Sequence, residues 1–101
     1  MRVVTYLVIC VFDLREASRD DYLYAYMDLA ELGLRRTVKS ENGPSFQLPG
    51  AAVMGTADGR SVEEVRSAFG KKVQSIFKAR GLRGDFFVVA SADWACAGET
   101  T

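Results

Sequence analysis

The order of apolar patterns along this chain predicts an α+β fold with the element order βαββαβ, an antiparallel sheet carrying two helices on one face. Three observations lead there. An apolar run, Val3–Phe12, is rich in β-branched and aromatic residues. Two amphipathic segments each open on a Ser-x-x-acid signature and close on a glycine. Between them an Asn-Gly turn separates two strand-like stretches, and a last apolar stretch, Phe86–Ala90, follows the second amphipathic segment.

The first strand is read over Val3–Asp13. Both of its alternating sets are apolar: Val4, Tyr6, Val8, Cys10 and Phe12 on one side, Val3, Thr5, Leu7, Ile9 and Val11 on the other. A strand apolar on both sides is normally central. One face is then covered by helices, and a second subunit is one way to cover the other. The run is too short for a membrane span of about 20 residues. It also lacks a basic leader and a small-residue cleavage site, so it reads as a strand of a cytoplasmic protein with no membrane partner.

Ser18-Arg-Asp-Asp21 is a capping box with Asp in the reciprocal position. The helix it starts places Tyr22, Tyr26, Leu29 and Ala30 on one stripe, with Leu23, Met27 and Leu34 nearby, and Gly33 ends it. Leu34–Ser40 is expected as the second strand and Glu41–Pro44 as a turn. A third strand follows at about Ser45–Thr56, interrupted by Pro49 and Gly50, either as an edge hairpin with a bulge or as a loop before Ala51–Thr56. Ala57–Arg60 is read as another turn. Ser61-Val-Glu-Glu64 is a full capping box, opening a helix with Val62, Val65, Phe69, Val73, Ile76 and Phe77 at helical spacing and Gly81 as its stop. Asp85–Ser91 is the final strand, which Asp93–Gly98 extends or pairs with a partner, and Glu99–Thr101 is a loose tail. Two helices joined to strands in this order make the ferredoxin-like arrangement. Right-handed crossovers put both helices on one sheet face and leave the opposite face for dimerisation or a ligand.

The chain has 101 residues, room for one domain, and 49% apolar with 26% charged residues is the balance of a globular protein. Thirteen basic and thirteen acidic residues cancel, which argues against a protein that coats duplexes nonspecifically and leaves only a local basic patch. There is no histidine, so Ser-His-Asp and Cys-His catalysis and histidine-ligated zinc are excluded. Cys10 and Cys96 fit no CxxC pattern and read as buried free thiols, with a disulfide between them, which needs close strand neighbours, as the lesser reading. Gly50, Gly55 and Gly59 have neither dinucleotide-binding nor Walker spacing.

Asp13 is the leading candidate for chemistry, because it leaves the apolar strand at its carboxyl end. A carboxylate there holds Mg²⁺ or Mn²⁺ or orients water; the structural alternative is a cap on the turn into the helix, or a pair with Arg15. Arg35, Arg36 and Lys39 are candidate phosphate contacts, with Lys71, Lys72, Lys78, Arg80 and Arg83 as a second basic group that equally suits a solvated helix face. Trp94 lies beyond the last strand and is a candidate interface residue, with closure of the core rim as the alternative.

Tyr6-Leu-Val-Ile-Cys-Val-Phe-Asp-Leu14, followed by a capped helix ending Leu-Ala-Glu-Leu-Gly33, resembles the small ferredoxin-fold nuclease superfamily that holds the CRISPR adaptation protein Cas-two and the VapD toxins. Ser61–Gly81 with Asp85–Val89 is similar to that superfamily's second helix and last strand, and Asp93–Gly98 to a Trp-containing terminal segment of some members. The Ser40–Phe46 segment departs from the Ser-Val-Phe/Trp stretch that nuclease members carry after strand two. The resemblance implies a homodimer in which Asp13 of two subunits is catalytic and metal-binding, acting as a metal-dependent endoribonuclease or binding RNA or DNA. The competing reading is a noncatalytic module that binds a protein partner or regulates. A small-molecule cleft in a dimer is the third.

Overall fold

The computed structural model describes residues 4–39 and 44–95. Its elements run β1 (Val4–Leu14), α1 (Arg19–Glu31), β2 (Thr37–Lys39), β3 (Ser45–Gln47), β4 (Ala52–Gly59), α2 (Val62–Ala79) and β5 (Gly84–Ser91). β1 is central, antiparallel to β4 on one side and to β5 on the other. β2 and β3 form a separate two-stranded hairpin. The result is a small α+β domain whose strand order is compatible with the ferredoxin-like one.

β1 owes its central place to its doubly apolar pattern. Tyr6, Val8, Cys10, Phe12 and Leu14 are all buried, and they pack in one cluster with Ala25 and Leu29 of α1 and Val65, Phe69, Val73 and Phe77 of α2. Both helices therefore lie on the same face. The shortest dimension of the molecule, 18 Å, has room for one helix layer on one sheet and no third layer. Phe12 is the hub, its ring centroid 5.4–6.0 Å from those of Phe77, Tyr26 and Tyr22.

Local signals set the helix ends. At α1, the Asp21 N–H donates to Ser18 Oγ and the Ser18 N–H donates to Asp21 Oδ2 at 3.0 Å, a complete capping box. At α2 only half of the expected box forms: Glu64 N–H donates to Ser61 Oγ at 3.1 Å, with no return bond among the described residues. Each helix closes on a Schellman turn. Gly33 (φ +85°) and Gly81 (φ +69°) take the left-handed position, and Leu34 and Leu82 donate back to the carbonyls of Leu29 and Phe77. Leu34 is fully buried as the apolar residue that locks this turn. Leu23 and Met27, expected near the core, are instead exposed, since α1 meets the sheet along Ala25 and Leu29.

The middle of the chain departs from expectation. The second strand, expected over Leu34–Ser40, is not continuous over its described part, which ends at Lys39: Arg35 makes one reciprocal backbone pair with Met54 (2.9 Å each way), then the chain bends at Arg36 and pairs with β3 instead. The interrupted third strand is two strands in two sheets, because Pro49 and Gly50 (φ +64°) redirect the backbone before Ala52. That is the loop alternative rather than the bulge. The turn read at Ala57–Arg60 is strand as far as Gly59, held by pairing with Val4–Tyr6 and by a Thr5 hydroxyl bond to Asp58 at 2.6 Å. The Glu41–Gly43 part of the turn, Cys96, the Asp93–Gly98 extension beyond Ala95 and the tail lie outside the described residues. Asp93 to Ala95 are not strand. No described helix is long and apolar enough to cross a membrane.

Candidate active site at the end of the central strand

Asp13 is the penultimate residue of β1 and lies directly across from Asp85 of β5. Side chains in register on adjacent antiparallel strands share a face, and like charges so placed repel. Two neighbours soften this. Arg15 Nη2 lies 3.6 Å from Asp85 Oδ1, an ion pair exposed on both sides and hence weak. The Tyr22 hydroxyl, reaching from the first turn of α1, lies 3.3 Å from Asp13 Oδ1 and 3.4 Å from the Leu14 carbonyl, while accepting the Leu14 N–H at 2.9 Å. A phenol carries one proton, so it donates to Asp13 or to Leu14, not to both at once.

The turns that build this end of the sheet approach closely. A side chain at Gly84 would overlap the Asp13 carbonyl oxygen and sit 2.8 Å from Leu14 Cα, so β5 reaches Asp13 only with glycine there. The Arg15 N–H then donates to the Arg83 carbonyl at 2.7 Å. Glu16, in the turn after β1, takes φ +49°, the one non-glycine residue in the left-handed region among those described. Such positions carry local strain.

Asp13 is exposed, as a metal- or water-binding carboxylate needs to be. Neither structural alternative for it is made: Ser18 caps α1 and Arg15 pairs with Asp85, while the Asp13 carboxylate lies against the Tyr22 hydroxyl. The sequence missed Tyr22, read as core because it falls on the apolar stripe, and Asp85, read as the start of a strand. The signal for Asp85 was its register with Asp13, which appears only when β1 and β5 are paired.

The other candidates lie elsewhere. Arg35 stands beside Met54, across β4 from β1, while Asp13 faces β5. Arg36 is half-buried, its guanidinium carbon 4.0 Å from the Tyr26 ring centroid, and its Nε–H is buried without an acceptor. Lys39 is exposed on β2. Trp94 is about half exposed beyond β5. In the second basic group, Arg80 is taken: it forms a two-pronged ion pair with Asp28 of α1, which holds that carboxyl below the usual carboxylate range.

On the face away from the helices, cross-strand neighbours make an apolar patch. Val11 lies across from Phe87 and Ile9 from Val89, and Val11, Phe87 and Val89 stay exposed, Phe87 by 66%. Asp13 and Asp85 border the patch at one end.

No family model, curated protein or solved structure matches this chain.

Proposed function

We propose that the chain is one protomer of a homodimeric, ferredoxin-like, Cas-two-like endoribonuclease in which Asp13 holds a divalent cation. One observation carries this: Asp13 stands exposed at the carboxyl end of the central strand, opposite Asp85, at the rim of an uncovered apolar sheet face. Pairing two copies through that face covers Val11, Phe87 and Val89 and brings the acidic rims of both towards the seam. The Arg35–Met54 pair continues the β5-β1-β4 order by one strand position, as a ferredoxin-like sheet requires.

The residues suit a hydrated Mg²⁺ or Mn²⁺. Among the described residues no cluster of three or more acidic, cysteine or histidine side chains occurs. That rules out a cage built from one protomer's described side chains, but Mg²⁺ is ordinarily held by one or two carboxylates, with waters and substrate phosphates completing the shell. Asp13 would hold it, with Asp85 as the second carboxylate once Arg15 swings to a phosphate. Held there by Asp13 and Asp85, such an ion would supply an acidified water and would neutralise developing charge on the phosphodiester. The protein's own part is positional. Tyr22 fixes the Asp13 carboxylate, and Arg15, released from a weak pair, is free to engage an anion.

The test is cleavage of labelled RNA by purified protein with Mg²⁺ or Mn²⁺. Asp13→Asn should abolish cutting with an unchanged melting temperature; activity that survives removes Asp13 from the mechanism. A second reading, a noncatalytic module that captures a protein, draws on the exposure of Phe87 and Trp94. It expects Asp13→Asn to be silent and Trp94→Ala to weaken partner capture.

A further inference from the structure

We infer that the groove between α1 and the start of β2 is a subsite for one nucleotide of a single RNA strand, with phosphate on Arg35 and Arg36 and the base stacked on the Arg36 guanidinium. This rests on the RNA-cleaving reading and adds where the strand lies. The groove, about 320 Å³, is lined by Tyr26, Met27, Ala30, Arg35, Arg36 and Thr37. Its walls hold two guanidiniums and no carboxylate. Neither Arg35 nor Arg36 has an ion-pair partner among the described residues, as is true of most of the basic side chains, and these two share one groove. Two adjacent uncompensated cations over an apolar floor are complementary to an anion that carries a flat apolar group. A nucleotide is such a molecule.

The geometry at Arg36 favours stacking. Its guanidinium carbon lies 4.0 Å from the Tyr26 ring centroid, so the cation is held against an aromatic ring in the wall of the groove that a base would enter. Tyr26 is itself packed on Phe12 in the core, which fixes the platform. Met27, 62% exposed, supplies the apolar wall that an unpaired base covers. A base can take this place only when it is out of a helix, so a single strand is the ligand and a duplex is not. The neutral overall charge agrees, since local pairs and not a global field must do the binding.

Fluorescence anisotropy with a fluorescein-labelled single-stranded RNA 12-mer tests this, in the full chain carrying Asp13→Asn so that the probe survives. Arg35→Gln with Arg36→Gln should weaken binding about tenfold or more and reduce the slope of log K against log salt by about 1.4. Met27→Glu, at an exposed position that leaves the core untouched, should weaken it several-fold, which guards against misfolding at Arg36. Arg60→Gln with Arg66→Gln, exposed at the start of α2, matches the charge lost and should leave affinity unchanged. Wild-type affinity in both the double arginine variant and Met27→Glu overturns the groove, as does equal loss in the α2 control or equal binding of the duplex form. If those results accompany RNA cleavage by the wild-type protein, only the groove falls. An Asp13→Asn parent that does not bind the RNA, together with a wild-type protein that does not cut it, removes the groove and the endoribonuclease reading together.

Discussion

Phe87→Ser separates a paired sheet face from one that is merely exposed. Fully burying a phenylalanine side chain is worth about 1.5–3 kcal/mol, and 66% of Phe87 remains open to water in the single chain. Covering the remainder therefore contributes about 1–2 kcal/mol per copy. A two-fold seam uses the same residue twice, so the substitution should cost the dimer about 2–4 kcal/mol. At about 1.4 kcal/mol per factor of ten, that is a roughly 30- to 700-fold weaker association. Sedimentation velocity over a dilution series reads this directly. The monomer's own stability should hardly change, because the ring is mostly in water already. A wild-type protein that is monomeric throughout, or a variant that dimerises as well as the parent, refutes the reasoning.

Two further outcomes follow from ionisable groups. Asp28 has its pKa lowered by the hydrogen bonds and charge of Arg80, so this contribution to stability is present above the ordinary carboxylate value. It is lost as pH falls through the lower folded value. Asp28→Asn should thus lower the melting temperature at pH 7 and leave the two proteins closer at pH 2–3; a constant gap across that range would show that the pair works by shape alone. The Cys10 thiol is pushed up to about 11 by burial, so at pH 8 only about one part in a thousand is thiolate. In a Cys96→Ser background it should react with a disulfide reagent only after unfolding. A raised folded value also means that Cys10's contribution to stability is full below about pH 9 and is lost as pH climbs towards 11. Prompt labelling of the native protein at pH 8 contradicts this burial.

Sequence alone determined the parts governed by local chemistry. Ser18 and Ser61 mark helix starts because a hydroxyl there satisfies free N–H groups, and Gly33 and Gly81 mark the ends because only a left-handed residue closes a Schellman turn cheaply. The alternation of β1 made it central, and Asp13 at its end was visible as a carboxylate leaving the core. What tertiary structure decided is what depends on partners distant in the chain. Arg35 pairs with Met54 for a single residue, and Pro49 with Gly50 splits one expected strand into β3 and β4. Ala57–Gly59, turn-like by composition, is held as strand by β1. The same holds at the site. Asp13 comes to face Asp85, and Tyr22 to hold it, only because β1 and β5 pair in one register and α1 folds back over the strand it follows. Register is a property of two strands together, and no single segment of the chain contains it.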